Sequence, residues 1–429
     1  MRAGRPSRAR AAVPLLALAA ACRTAGPTAP TAPPPAGGPP GGVPRTEPTV
    51  RVGIAVDSPQ VVIGATTPFT ISASGTTLAR NEASARWTIS ANAAGQVVGT
   101  SETGGRLGPV QGPVVVRPEG PGSVLIGTKP YRGAALVRAS TNGRVTAVNL
   151  IELERYLMGV VPGEIGTRKS NEVEAAKVQA VAARTYAIAN LGKSDARGFD
   201  YYATTADQVY GGVAAEDSVA SRAVWETTGE IVTYQGAPIE AYYHSTCGGR
   251  TAAMQESWPW RGSRPYLQSE SDRIDDTGQY YDQGSGRFRW TTAWTPEQLR
   301  AALEAGLSAF TGRPVTVASV RSVEILDTTA SGRVGRMRVR VDSAEYVVRG
   351  DSVRWVLRPP AGGILNSSLI RALTPQPGPA GLGLQVAGGG WGHGIGMCQW
   401  GAIGRARAGQ GYRDILAAYY RDTRVERLY

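Results

Sequence analysis

The sequence predicts an α+β fold: a mixed strand-rich body with an Ala-rich helix after a glutamate-bearing loop, preceded by a β-rich N-terminal region. Three observations predict it. Gly 55 and Pro 29 make up about a fifth of the 429 residues while charged residues reach only 19%, a balance that favours strands, turns and ordered loops over long helical bundles and coiled coils. Apolar residues alternate at period two from Thr49 onward, the spacing of half-buried strands. Few segments show apolar residues at three-and-four spacing, so helices are the minority. With 42% apolar residues the chain can bury one large core or two ordinary ones.

Taken in order, residues 1–22 read as an export signal. Arg2, Arg5, Arg8 and Arg10 precede an apolar run from Ala11 to Ala21, too short for the ~20 residues a bilayer-spanning helix needs. Its end, Leu18-Ala19-Ala20-Ala21-Cys22, resembles a bacterial lipobox and marks Cys22 as the lipidation site. Ala19 in place of the usual Leu, and Pro14 inside the run, keep simple secretion as the alternative. No later stretch is apolar enough to span, so the chain is expected to be an exported, membrane-anchored lipoprotein of the cell envelope, held by its lipid alone. Residues 23–48 read as a linker: eight Pro and five Gly fall between Arg23 and Arg45, a composition that samples extended conformations and buries nothing.

Residues 49–149 read as the β-rich region. Val50 to Val56 alternates, and Val61, Phe69, Ile71, Trp87, Ile89 and Val97 recur between Gly, Ser and Asn turns. Further strands are expected at Val114–Val116, Ser123–Ile126, Ala134–Val137 and Arg144–Val148, with no fixed-period repeat to suggest a propeller or solenoid. Residues 150–429 follow as one domain. Its long helix is expected from Asn171 to Leu191, opened by an Asn171/Glu174 capping box and closed near Gly192. A shorter helix is expected at Thr295–Ala305 and another around Tyr412, Ile415, Leu416 and Tyr419. Strands are expected at Ile231–Thr233, Val315–Leu326, Arg336–Val341 and Val347–Val348.

The formal net charge of +12 predicts an anionic partner, and nucleic acid, lipid head groups and acidic glycan all qualify. Export sets nucleic acid aside, since nothing but charge speaks for it.

The chain holds only two His and three Cys, and they cluster. His244 and Cys247 share Tyr243-His244-Ser245-Thr246-Cys247-Gly248-Gly249, and His393 and Cys398 share the stretch from Gly390 to Ala402. Glycine-dense loops of this kind suit a binding cleft better than a core. A third island runs from Tyr156 to Ile165 and contains Glu164. A lone carboxylate after an apolar run sits where desolvation raises its pKa and fits it to donate a proton. The plainer reading is an ordinary carboxylate near a helix N-terminus, stabilised by the dipole.

Together the islands Tyr156–Ile165, Glu174–Tyr186, Gln208-Val209-Tyr210-Gly211-Gly212, His244–Arg250, Pro265-Tyr266-Leu267 and Gly390–Ala402, with the Tyr419-Tyr420 tail, resemble the stage II sporulation protein D (SpoIID/LytB) family over residues 130 to 429. The resemblance implies a peptidoglycan lytic transglycosylase that prefers glycan strands without stem peptides, with Glu164 as catalytic acid and no cofactor required. It equally admits a non-catalytic glycan-binding partner that enhances a cell-wall amidase. A metal hydrolase built on the two histidines is a third reading. Within the first, Lys177 and Arg184 are expected either to meet the lactyl carboxylate of muramic acid or to fix the Ala-rich helix to its neighbours. Gln179, Tyr186, His244, Ser245, His393 and Gln399 are expected to line the cleft, with Trp391 or Trp400 as a sugar-stacking face or a core residue. Three readings of the remaining cysteines stand side by side: a Cys247–Cys398 disulfide, a zinc site from His244, Cys247, His393 and Cys398, or two free thiols. The His-Cys pair that zinc-holding relatives carry after the Gln-Val-Tyr region's threonines is replaced here by Ala206-Asp207, which weighs against metal.

Overall fold

In the computed structural model residues 44–429 are described; the expected export signal, Cys22 and the linker up to residue 43 lie outside the described residues. The α+β expectation is met. Helices among the described residues are α1 Leu153–Ile165, α2 Val173–Ala189, α3 Ser218–Glu226, α4 Met254–Ser257, α5 Pro296–Thr311, α6 Val353–Val356, α7 Gln399–Arg407 and α8 Tyr412–Tyr419.

The N-terminal strands form two antiparallel-dominated sheets that share one core. A seven-stranded sheet runs in the order Tyr201–Tyr202, Thr49–Ser58, Val145–Glu152, Ala134–Ala139, Val114–Pro118, Phe69–Ala73, Thr76–Asn81. A six-stranded sheet centres on Gln60–Ala65 and Arg86–Ala91. Alternation places Val50, Val52, Phe69, Ile71, Val114 and Val116 of the first sheet and Val61, Ile63, Trp87 and Ile89 of the second in the same hydrophobic cluster. Each such side chain contributes about 1.5–3 kcal/mol on burial.

That cluster does not stop at residue 149. Val145–Glu152 pairs with Thr49–Ser58 in the register Val50↔Ile151 and Thr49↔Glu152, and Leu153 opens α1 directly. The boundary expected at 149/150 therefore falls inside a central strand, and Tyr156, Leu157, Val160 and Val161 of α1 continue the same core. The edge strand Tyr201–Tyr202, which comes from after α2, pairs parallel with Val52 and Gly53.

Two local expectations change. The segment carrying Glu164 is a helix, not a loop; Glu164 lies in the last turn of α1, with Pro162 inside the helix and the Gly166 N–H donating to Pro162 O. The long helix begins at Val173 after a short 3₁₀ turn, and the carboxylate cap is made two residues earlier than expected: the Lys169 N–H donates to Glu172 Oε2 at 3.2 Å and the Glu172 N–H to Lys169 O at 2.8 Å. Glu174 is instead free to pair with Lys177 and with the Tyr412 N–H. The helix stops at Ala189 with Asn190 at its C-cap, and Gly192 takes φ of 75° just beyond.

A second core gathers Trp294, Leu299, Leu303 and Leu307 around α5 with Val323, Met337, Val339, Val348, Leu384 and Val386. Two three-stranded antiparallel sheets supply it, Val320–Thr328/Val334–Val341/Ala344–Arg349 and Trp290–Trp294/Gly381–Gly388/Ile370–Gly378. Thr295 caps α5 as its sequence indicates, accepting from the Gln298 N–H, and the helix runs on to Thr311. The expected strand from Val315 begins only at Val320. On either side of this insertion the chain returns to the first core, where Tyr243–His244 and Met397–Cys398 pair in parallel, Tyr243↔Met397 and His244↔Cys398.

Candidate functional site

Glu164 is placed by three elements. α1 carries it at its C-terminal end; the Gln208–Gly212 segment passes close by; and the paired strands Tyr243–His244 and Met397–Cys398 bring Tyr243 and Gln399 to it. Close approach of the second element depends on Gly163. A Cβ there would sit 2.7 Å from Val209 O, so glycine lets the Val209 backbone lie against the helix, where its N–H donates to Glu164 Oε1 at 2.6 Å. Gly159, one turn earlier, similarly makes room for the Tyr210 ring.

The carboxyl is half-buried, and among the described residues no ion pair reaches it. Burial pushes its pKa from 4.5 up to about 7, against a smaller lowering by the Val209 N–H and by the polar ends of Tyr243 and Gln399. A helix N-terminus plays no part, because Glu164 is at the opposite end of α1. The carboxyl is thus partly protonated in neutral solution and has donors placed for its ionised form, so one group can act first as acid and then as base.

Behind this carboxyl lies a buried polar layer. Gln399 Nε2 donates to Gln179 Oε1 at 3.2 Å. Gln208 Nε2 donates to Tyr243 OH at 3.1 Å and to Ala183 O at 3.3 Å, and its Oε1 accepts from Tyr156 OH at 3.2 Å. Gln399, expected only to line the cleft, is a partner of the Glu164 carboxyl, and Gln179 stands one step back, fully buried. Tyr243 and the Val209 N–H were not singled out from the sequence. Tyr243 had a signal, its place beside His244; a backbone donor has none.

Other expected contacts go elsewhere. Arg184 has no exposed surface; its Nε and Nη2 donate to Glu154 at 2.8 and 2.5 Å, and Nη1 and Nη2 reach Glu230 O and Val224 O. It cannot meet a substrate carboxylate, because the guanidinium is wholly buried and paired with Glu154. Lys177 bridges Glu174 at 2.8 Å and Glu226 at 2.9 Å, so of its two expected roles it fills the one that fixes the helix. Tyr186 is buried and its OH donates to Asp207 Oδ1 at 2.9 Å, which removes it as a free cleft donor. Asp207 also accepts from Lys193 Nζ and from the Tyr202 N–H.

The histidine rings pack against each other at a tilt of 58°, ring centroids 5.6 Å apart. His244 Nδ1 is 3.2 Å from Ile395 O, and the ring is driven well below its ordinary pKa by burial. His393 Nδ1 accepts from the Ile395 N–H at 3.0 Å, so this ring is neutral; burial, with Arg354 and Arg333 nearby, pushes it down to about 3. Trp258 packs on it with centroids 4.9 Å apart. Ser245 remains half-buried beside Thr246. Trp400 packs half-buried against the first core, whereas Trp391 is 40% exposed with the Arg287 guanidinium 3.9 Å over its ring; of the two Trp391 is the more exposed.

Cys247 and Cys398 are both buried free thiols. The four-ligand set of two histidines and two cysteines is not assembled: the possible ligand atoms that lie within 4.8 Å of one another belong to Cys247, Asp282 and Cys398. The histidine rings face Ile395 and Trp258 instead. A separate cavity of about 540 Å³, lined by Arg250, Arg273 and Arg371 among others, opens between the His244–Arg250 loop and the second core; Glu164 is not in its wall. No helix of the described residues is long and apolar enough to cross a membrane.

Comparison with known proteins places these features in a context. A family model described as stage II sporulation protein matches residues 141–234, the stretch from the strand before α1 to the strand after α3. A second model, described only as a domain of unknown function, matches residues 268–396 and so takes in the second core. An uncharacterized protein of Brachyspira hyodysenteriae is 30% identical over 301 residues, covering 70% of this chain and 73% of that one. The amidase enhancer of Bacillus subtilis is 30% identical over 304 residues, 62% of this chain but 40% of its own length. Stage II sporulation protein D of the same organism is 26% identical over 329 residues, covering 70% and 84%.

Proposed function

The chain belongs to the stage II sporulation protein D family, and from that premise we propose that it acts on the cell wall as a peptidoglycan lytic transglycosylase with Glu164 as its acid and base. The observation that carries this is the state of Glu164: a half-buried carboxyl with no cation on it among the described residues, raised to about 7 and held by the Val209 N–H. Glycoside hydrolysis by water uses two carboxylates, one of them to activate the water or attack the sugar. Transglycosylation needs one. The Glu164 carboxyl donates its proton to the glycosidic oxygen after N-acetylmuramic acid, the C1–O bond breaks, and the carboxylate then takes the proton of the same sugar's C6 hydroxyl. The C6 oxygen bonds to C1 and closes a 1,6-anhydro ring, and the enzyme returns to its starting protonation state. A tethered nucleophile replaces water, an advantage of orientation and proximity.

The Val209 N–H, Tyr243 and Gln399 serve the second half, when the group is ionised and each donor gains strength. The net charge of +12 favours strands stripped of stem peptides, whose lactyl carboxylates are free. Purified protein incubated with amidase-treated sacculi should release 1,6-anhydro sugars unaided, seen by mass spectrometry; Glu164→Gln should release them at least about 10²-fold more slowly while still pelleting with the sacculi.

A second reading rests on the likeness to a protein named amidase enhancer: a glycan-binding partner that raises the rate of a cell-wall amidase without cutting glycan. Absence of anhydro product, with an amidase accelerated equally by wild type and Glu164→Gln, would select it.

A further inference from the structure

The cysteine island contains more acid than its surroundings neutralise. Cys247 Sγ lies 3.2 Å from Asp282 Oδ2 and 3.3 Å from Asp272 Oδ2, and Cys398 Sγ lies 4.0 Å from Asp282 Oδ2. Both thiols and both carboxylates are buried, the two carboxylates with no exposed surface. One thiol proton cannot serve two carboxylates. Asp272 has its own partners, Arg405 at 3.1 Å and the Tyr419 OH at 2.7 Å. Asp282 has no ion pair among the described residues; it accepts from the Gly248 and Gly249 N–H groups on Oδ2, and its Oδ1 is buried with no partner at all. The other cation nearby, Arg333, directs Nη2 and Nη1 to Cys247 O and Arg250 O and makes no ion pair among the described residues.

The sulfurs are also set up as acceptors. The Cys247 N–H donates to Cys398 Sγ at 3.1 Å, the Gly401 N–H to the same sulfur at 3.2 Å, and the Gly249 N–H to Cys247 Sγ at 3.3 Å. Backbone donors aimed at sulfur stabilise thiolate over thiol, as charge-assisted hydrogen bonds do. The spacing fits a small tetrahedral ion. With metal–sulfur bonds of about 2.3 Å and metal–oxygen bonds of about 2.0 Å, tetrahedral ligand atoms sit roughly 3.3–3.8 Å apart, and the three ligand atoms here already lie within 4.8 Å of one another.

We propose that Cys247, Cys398 and Asp282 form a structural binding site for a thiophilic divalent cation of the zinc class. The site joins the two segments that flank the second core: Cys247 follows Tyr243 by one turn of loop, and Cys398 immediately precedes Gln399. A cation there staples the paired strands His244↔Cys398 and Tyr243↔Met397 and thereby holds Tyr243 and Gln399 in place, without itself touching Glu164.

The test reads metal content, so it is independent of whether the chain cleaves glycan. Full-length protein purified under anaerobic conditions without chelator should contain about one zinc per chain by elemental mass spectrometry. Replacement by cobalt should give the intense near-ultraviolet charge-transfer absorption of cobalt–thiolate bonds. Cys398→Ser and Asp282→Asn should each lower zinc retention in a competing chromophoric chelator at least tenfold; the cobalt spectrum of the unaltered chain stands if a variant fails to fold. A chain without metal whose two thiols are either both titratable or joined as a disulfide overturns the site. So does zinc that both variants retain at full occupancy.

Discussion

The Val209 N–H donates to Glu164 Oε1 at 2.6 Å, joining the end of α1 to a segment more than forty residues downstream and giving the ionised carboxyl a fixed partner. Replacing the carboxyl by its amide should therefore separate chemistry from folding. Glu164→Gln is expected to lower anhydro-sugar release by about 10²–10⁴-fold, the usual worth of a positioned proton donor. The same substitution should stabilise the fold at high pH. Between 4.5 and about 7 the native carboxyl keeps a proton that the unfolded chain has released, so stability falls as pH rises through this window. Glutamine stays neutral throughout. Urea unfolding should show the variant equal to wild type near pH 4 and more stable by about 1–3 kcal/mol at pH 8.

Activity itself should report the same group. A proton donor with a pKa of about 7 predicts that kcat/KM declines tenfold per pH unit above that value. The polar end of Tyr243 lowers the carboxyl's pKa, so Tyr243→Phe removes a partner of the ionised form. The alkaline limb should then move to higher pH, by up to about 1 unit, while the maximal rate falls because the carboxylate that follows proton donation has lost a donor. A limb unmoved in Tyr243→Phe would mean that another group sets it.

Arg184 and Glu154 form a buried fork that also receives the Tyr429 OH at 2.6 Å and the Gly229 N–H at 3.2 Å. Arg184→Met should cost about 3–5 kcal/mol, because it leaves the Glu154 charge dry and without its cation. The double variant Arg184→Met/Glu154→Leu should recover most of that loss, since removing both charges also removes the cost of desolvating them. In either variant, KM for glycan should change no more than the folded fraction explains.

What could be read in the sequence follows from where its physics is local. Period-two alternation marks Val50–Val56 and Val114–Val116 because each strand faces one core, and Thr295-Pro296 marks the start of α5 because a cap is made within four residues. α1 was hidden by its composition: Gly159, Pro162 and Gly163 look like loop residues, yet each glycine is there so that Tyr210 or Val209 can touch the helix, a tertiary demand that overrides helix propensity. The run of a strand past residue 149 is hidden for the same reason, since β pairing through Glu152 depends on Thr49 about a hundred residues away. Around the site, Glu164 and Gln399 were visible as side chains in glycine-rich islands. Asp272 and Asp282 were not, because nothing in their local sequence distinguishes them from surface acids.

Gly163 gives the most selective test of how the carboxyl is positioned. In an exposed helical turn, alanine ordinarily gains about 1 kcal/mol over glycine, and Gly163 is exposed with no left-handed φ. Its Cβ, however, would lie 2.7 Å from Val209 O, a backbone atom that can move only with its segment. Gly163→Ala should therefore push the Gln208–Gly212 backbone off the helix and lengthen or break the hydrogen bond from the Val209 N–H. The alkaline limb should shift upward as that donor is lost, with kcat reduced more than KM is raised. Gly159→Ala supplies the contrast: its Cβ would meet the Tyr210 ring at 2.7 Å and Gly212 O at 3.0 Å, an overpacking expected to cost about 1–3 kcal/mol with no direct loss of a partner to Glu164. If both variants lost stability alike and neither moved the limb, the Val209 N–H would not be what holds the ionised carboxyl.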